Sequence, residues 1–402
     1  MKILIIGSGG REHAIAWRLA QSPGKPKLYA MPGNPGLARI AECVPSADDL
    51  RPDLVVVGPE VPLVDGIVDR FIARGIPCVG PRAAAARLEG SKVFSKIFMQ
   101  RYSIPTARFA TANTPGEARH ALTGFGYPVV LKADGLAAGK GVAIARNPAE
   151  AEAAVATLTG ALVIEEFLPG EEVSFIVLTD GKNILPLEPT QDHKTVFEND
   201  EGPNTGGMGA YCDSRILTKR QTGEILDTVI EPVLAGMRKE ACPFTGFLYA
   251  GLMMTGDGPR VLEFNVRLGD PETQALMHRM RSNWASVLDA AARGDLAGQR
   301  LEWSTDPSVC VVLAAHGYPG NVRSGDRIEG IQAAETTGAT VFQAGTKSSD
   351  QGLLTSGGRV LGVTASGSDL SQAIENSYKA VEKIHFAGMH FRRDIGRRGL
   401  KR

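Results

Sequence analysis

The chain has 402 residues, too many for one ordinary core, so about two to four domains are expected. Its 43% hydrophobic and 22% charged residues describe a folded globular protein, and 44 acidic against 44 basic residues leave no basic excess of the kind that nucleic-acid and membrane-surface binders carry. No apolar run approaches the roughly 20 residues that span a bilayer, and the five cysteines (Cys43, Cys78, Cys212, Cys242, Cys310) follow neither disulfide nor zinc spacing, as expected of a reduced cytoplasmic protein.

In chain order, residues 2–6 are a β-branched run, followed by a glycine loop and a helix-like stretch at 13–21. Residues 53–57 repeat the strand signal, 63–74 read as helix and 76–79 as strand again. This alternation predicts parallel strands with crossover helices, a doubly wound, Rossmann-like sheet domain over 1–103. Its last helix, 88–102, is stopped by Ser103-Ile104-Pro105.

The rhythm then changes to an α+β layout over 104–305, with a lid lobe at about 120–190. Strands are expected at 127–132, 142–145, 162–167 and 173–179, the last turning at Asp180-Gly181 into 183–187. Residues 190–210 are polar and glycine-rich and read as a functional loop. A helix over 221–240 precedes a second hairpin, with arms 247–254 and 260–266, and 306–402 reads as a smaller C-terminal domain.

Two phosphate-binding patterns are approached and missed. Gly7-Ser8-Gly9-Gly10-Arg11-Glu12 follows a strand, but the dinucleotide fingerprint needs glycine where Glu12 stands, and no acid follows in 27–31 to hold a ribose. Gly135-Leu136-Ala137-Ala138-Gly139-Lys140-Gly141 is one residue short of a P-loop, and Gly141 stands where a magnesium-binding hydroxyl is required. The first loop can still offer N–H groups to an anion, or simply turn tightly into a helix.

The strongest local pattern is Val261-Leu262-Glu263-Phe264-Asn265-Val266-Arg267-Leu268. Strand alternation puts Glu263, Asn265 and Arg267 on one face and Leu262, Phe264, Val266 and Leu268 on the other, toward a core. A carboxylate and a carboxamide oxygen in a row suit magnesium completed by substrate phosphates, and an arginine beside them suits a transferring phosphoryl group. Lys132 ends a strand beside the second glycine loop and Lys92 opens a helix, so both can reach triphosphate oxygens or merely snorkel. The hinge 165–168 can offer backbone groups to a base edge.

Taken together these residues resemble the ATP-grasp superfamily. Gly9-Gly10-Arg11-Glu12-His13-Ala14, the run 131–142, Gln191-Asp192-His193-Lys194, the run 202–211 and Arg267-Leu268-Gly269-Asp270-Pro271-Glu272-Thr273-Gln274 are similar to the phosphoribosylamine–glycine ligase family within it, as is the closing 389–396. The resemblance implies glycine and 5-phosphoribosylamine as substrates, joined through glycyl phosphate, with ATP and Mg2+ (or Mn2+) as cofactors. It implies a monomer, with neither nucleic acid nor membrane as partner.

By the same resemblance, Lys92, Lys132 and Lys140 hold the phosphates. Glu165 and Leu168 hold adenine through backbone groups with Glu166 beside them, and Glu172, or the adjacent Glu171, holds ribose. Glu263 and Asn265 bind the metal. Arg267 steadies the transferring phosphate, with Lys132 and Asp192 as further catalytic candidates. Gly9, Gly10, Arg11, Asp192, Gly207, Arg267, Pro271 and Glu272 form the substrate set, and His193 either assists Asp192 or is structural. Another ATP-grasp carboxylate–amine ligase, a carboxylase, or a non-catalytic nucleotide-binding protein on the same scaffold remain the alternatives.

Overall fold

The computed structural model describes residues 1–136 and 141–402. Lys140 and Gly139 of the expected flap lie outside the described residues. Among these residues no helix is long and apolar enough to cross a membrane.

The N-terminal sheet is parallel throughout, with five strands in the order Glu42–Cys43, Lys27–Pro32, Lys2–Gly7, Leu54–Val57 and Cys78–Val79. The two outermost strands on one side were not expected. The continuous apolar runs of the two central strands suit a sheet covered on both faces, and Ile3, Leu4, Ile5 and Val55 are wholly buried. The expected helix 63–74 is broken at Gly66, whose φ of +77° starts a second helix, Ile67–Ala73.

The expected helix 88–102 is two helices, Ala83–Gly90 and Lys92–Arg101. Ser91 separates them because its hydroxyl accepts from the Phe94 N–H at 3.1 Å and caps the second. The Asp134 carboxylate joins that cap, accepting from the Val93 N–H (3.1 Å) and from the Ser91 hydroxyl (3.0 Å). An anion at a helix N-terminus is stabilised by the unpaired N–H groups there, and here it ties the end of the lid strand to the helix that carries Lys92.

The lid lobe is an antiparallel sheet in the order Phe109–Ala112, Leu162–Glu166, Val129–Ala133, Val142–Ala145, with its own small core around Val129, Leu131 and Ile164. Its two helices start on the pairs Thr114-Pro115 and Asn147-Pro148, each a capping side chain followed by a proline that needs no N–H partner.

A nine-stranded sheet forms most of the remainder, beside a two-stranded one of Thr346–Ser349 and Gly352–Thr355. It runs from Gly258–Asn265 through Gly246–Thr255 and Glu171–Thr179 to Thr190–Asp192, Gly209–Cys212, Ser308–Ala314, Arg359–Ser366 and Thr340–Gln343, with Ile184–Pro186 attached to Glu171–Thr179. Ser308–Ala314, just past the expected boundary at 306, joins this sheet through Gly209–Cys212. The expected loop 190–210 is also corrected, because both of its ends are strands, with Asp192 paired to Ala210.

A bulge corrects the alternation of the strongest motif. Leu252 pairs with Val261 while Gly251 pairs with Glu263, so Leu262 is an extra residue on its strand. Leu262 consequently lines the cleft with Glu263 instead of facing the core, and Val261 is buried in its place.

Candidate active site

A cleft of about 920 Å³ lies among the N-terminal sheet, the lid lobe and the large sheet. It brings together Lys92, Lys132, Glu165, Glu166, Leu168, Glu172, Asp192, Glu263, Asn265, Arg267, Glu272 and Arg11. Gly9, Gly10, Gly207, Pro271 and His193 are not among its lining residues.

One group is cationic. Lys132 donates to the Leu262 carbonyl at 2.9 Å and lies 3.0 Å from the Glu165 carboxylate. The bulge thus has a visible use, since it turns that stretch of strand toward Lys132. Lys96, on the second turn of the helix Lys92–Arg101, lies 3.0 Å from the other Glu165 oxygen and donates to the Thr106 hydroxyl at 2.6 Å. Burial, partly offset by Glu165 and reinforced by Lys132, lowers the Lys96 ammonium to about 8. Lys92 donates to the Gly135 carbonyl at 2.7 Å, and burial lowers it too.

Sequence reasoning missed Lys96, and it saw no task for the Glu165 carboxylate. The i, i+4 spacing of Lys92 and Lys96 on one helix face was the available signal.

Glu263 and Asn265 stand on one face as expected. Burial would raise the Glu263 carboxyl, but Lys194, Lys132 and Lys92 outweigh it and lower it, keeping the group anionic. Lys194 pairs with Glu172 and lies 3.8 Å from Glu263; it too was overlooked, although it ends the quoted Gln191–Lys194 motif. Among the described residues no three His, Cys, Asp or Glu side chains gather into a self-sufficient metal cage. One carboxylate and one carboxamide facing an open cleft fit magnesium, which takes few protein ligands and completes its shell with phosphates and water.

Arg267 is held rigidly. It donates to Glu89 at 2.8 Å and to Asn265 Oδ1 at 3.2 Å, and its Nε reaches Glu60 at 3.3 Å. Glu89 also accepts the Val266 N–H at 2.7 Å, so one buried acid fixes both the backbone and the side chain of the neighbouring positions. Neither Glu60 nor Glu89 belongs to a recognisable motif.

Asp192 is raised to about 8 by burial, with Glu272 and Glu172 adding to the shift and Lys194 opposing it. Glu272 is buried and accepts from the Tyr249 hydroxyl (2.9 Å) and the Ser174 hydroxyl (3.2 Å). His193 alternates to the opposite face of its strand, and burial together with Arg398 and Arg392 lowers it to about 3. Burial thus favours the neutral imidazole, whose Nδ1 lies 3.4 Å from the Gly209 carbonyl.

The N-terminal loop differs from a phosphate cradle. The Glu12 carboxylate fills the space that a third fingerprint glycine would leave, accepting the Gly9 N–H at 2.5 Å and Arg11 Nε at 2.6 Å. A Cβ on Gly58 would come within 2.0 Å of it, and one on Gly10 within 2.7 Å of Gln274 Nε2, so neither position has room for a side chain. The helix N-terminus is already supplied with an anion of its own. Glu171 is engaged by Arg402 (2.5 Å) and Gln191 (3.0 Å).

Family models match this arrangement in series. Residues 1–89 match the phosphoribosylglycinamide synthetase N domain, 90–273 its ATP-grasp (A) domain and 308–398 its C domain. The chain belongs to the phosphoribosylglycinamide synthetase family.

A phosphoribosylamine–glycine ligase of Allochromatium vinosum is 48% identical over 425 aligned positions, covering 100% of this chain and 99% of that protein. One of Pseudomonas aeruginosa is 47% identical, with 100% and 99% covered. The crystal structure of the Thermotoga maritima phosphoribosylamine–glycine ligase superposes with a TM-score of 0.85 at 36% identity, covering 98% of this chain and 100% of that one. A Campylobacter jejuni biotin carboxylase shares the fold alone, at 14% identity and a TM-score of 0.72, with 100% and 95% covered. Like the rest of its family, this phosphoribosylglycinamide synthetase homologue is an ATP-grasp carbon–nitrogen ligase.

Proposed function

We propose that the chain joins glycine to 5-phosphoribosylamine at the expense of ATP, giving glycinamide ribonucleotide, ADP and phosphate in purine biosynthesis. The observation that carries this reading is the cleft itself, which faces Lys92, Lys96 and Lys132 toward Glu263 and Asn265, with Arg267 locked beside them. The glycine carboxylate attacks the γ-phosphorus of ATP, giving glycyl phosphate and ADP. The amine of the sugar then attacks the acyl carbon, phosphate leaves, and the amine's proton is released.

In this reading Lys92, Lys132 and Lys140 bind phosphate oxygens, residues 165–168 seat the base and Glu172 the ribose. Arg267, already fixed, offers its guanidinium to charge developing on the transferred group without having to reorganise. Glu263 and Asn265 would hold Mg2+ (or Mn2+), which supplies charge neutralisation to the nucleotide phosphates. Asp192, Glu272, Arg11 and the stretches 9–11 and 204–209 handle the two substrates. The working division is 1–103, 104–305 and 306–402, in a cytoplasmic monomer. The lid expected at about 120–190 is redrawn to the sheet running from Phe109 to Glu166, because Glu171–Thr179 and Ile184–Pro186 pair into the large sheet.

Phosphate release is measured with ATP, Mg2+, glycine and freshly generated phosphoribosylamine, omitting each in turn. Turnover is expected only in the complete mixture. Activity indifferent to glycine, or activity that needs bicarbonate, would sink the assignment in favour of another ATP-grasp ligase or a carboxylase.

A further inference from the structure

Residues 193–208 leave the large sheet after Asp192 and rejoin it at Gly209. Near the end of this excursion Gly206 is gripped at both of its backbone groups by side chains from far along the chain. Its N–H donates to the Tyr318 hydroxyl at 2.9 Å, and its carbonyl accepts from the Arg359 guanidinium. The same guanidinium donates to the Asp270 carbonyl at 2.5 Å and lies 3.5 Å from the Asp270 carboxylate.

There is little slack. A Cβ on Gly206 would come 3.0 Å from Arg359 Cζ, one on Gly207 2.6 Å from Pro271, and one on Gly358 2.3 Å from the Tyr318 ring. Gly207 also has φ +111°, which side chains disfavour. The Thr205 hydroxyl donates to the Lys194 carbonyl (2.7 Å) and accepts the Gly207 N–H (2.9 Å), stiffening the same turn from within.

The place of this clamp follows from contacts. Lys132 donates to the Leu262 carbonyl at 2.9 Å, Lys194 lies 3.8 Å from Glu263, and Arg267 donates to Asn265 Oδ1 at 3.2 Å. Arg267 and Arg11 both donate to the Leu268 carbonyl, at 3.3 and 3.1 Å, and Asp270 close by is held by Arg359. The contacts thus run from Lys132, past the Glu263–Asn265 pair, to Asp270 and Arg359. In a two-step ligation the acceptor must approach from the side of the activated acyl group that the nucleotide leaves open. In the ligase reading that side is the end of the cleft lined by Arg11, Gly206, Asp270, Tyr318 and Arg359.

We propose that Arg359 and Tyr318 are positioning residues for the acceptor, a phosphorylated-sugar amine, acting by holding Gly206 and Asp270 in the shape that receives it. This rests on the ligase reading above. Arg359 Nη1 is taken up by the Gly206 and Asp270 carbonyls and the Tyr318 oxygen by the Gly206 N–H, so the clamp acts through the loop.

The test uses Arg359→Met, Arg359→Lys and Tyr318→Phe in the full chain, with each substrate varied in turn. The KM for phosphoribosylamine is expected to rise about tenfold in Arg359→Met and about threefold in Tyr318→Phe, while the KM values for ATP and glycine stay within about twofold. Arg359→Lys, which keeps one donor, should recover part of the loss.

Should Arg359→Met fail to fold, Tyr318→Phe carries the test alone, since it removes a single acceptor. If the KM for phosphoribosylamine stays within about twofold of wild type in the folded variants, or all three KM values move together as in a general structural loss, the clamp is wrong. Wild-type turnover that ignores phosphoribosylamine would overturn the ligase reading along with it, whereas wild-type turnover that needs this substrate, with the variants unmoved, would overturn the clamp alone.

Discussion

At the lysine-lined end of the cleft, the proposed nucleotide end, the Lys96 and Lys132 ammoniums share one buried carboxylate, Glu165, with Lys92 nearby. At the other end, proposed for the acceptor, arginines are paired with acids: Arg11 with Glu12, Arg359 with Asp270, and Arg267 with Glu89 and Glu60. Uncompensated cations are costly to bury, so the first arrangement suits an end that awaits a polyanion. The second keeps guanidiniums stationary as ready donors. The same cleft therefore has a region that ligand charge completes and a region that the protein completes for itself.

The sharpest way to break this contrast is at its midpoint. Glu263→Gln should lower turnover about 100- to 1000-fold while moving the thermal midpoint by less than about 4 °C, read by phosphate release and calorimetry. Unchanged turnover would remove the metal-binding reading.

At the self-compensated end, Glu12→Gly restores the glycine of a dinucleotide fingerprint but strips Arg11 and the Gly9 N–H of their partner. Urea unfolding should show a loss of about 3 kcal/mol, and a fluorescence titration should show no nicotinamide binding.

At the nucleotide end, Lys96→Met leaves Glu165 with Lys132 as its remaining partner, so the loss should be smaller, about 2 kcal/mol, accompanied by weaker ATP binding in a titration. A loss equal to that of Glu12→Gly would mean that the two ends are built alike.

The smallest effect lies away from the cleft. Burial alone would raise the Asp394 carboxyl, but bonds from Arg392 and the Asn199 N–H hold it down to about 2. Its contribution to stability is present above the unfolded carboxyl's ordinary range, near pH 4, and is lost as the pH falls toward 2. Asp394→Asn should flatten this acid limb in unfolding curves at low pH, leaving activity near neutral pH unaltered.

Much of the frame was legible in the chain. The parallel N-terminal sheet showed in its continuous apolar runs, both hairpins in their Asp-Gly turns, and the face of Glu263, Asn265 and Arg267 in the period of a strand. The bulge at Leu262 was not legible, because an extra residue leaves a plausible alternation on either side of it. Nor was the pairing of Thr190–Asp192 with Gly209–Cys212, whose polar and glycine-rich residues carry no periodic signal.

What the sequence determined by itself was local: which segments are strands or helices, and which motifs place them in a family. The partners of the charges were decided only in three dimensions. Glu89 meets Arg267 across 178 positions and Arg359 meets Gly206 across 153, because crossing connections and a shared sheet bring distant segments together. A charge in a sequence reveals its sign but not its neighbour, and the neighbour decides whether it waits for a ligand or holds the protein in shape.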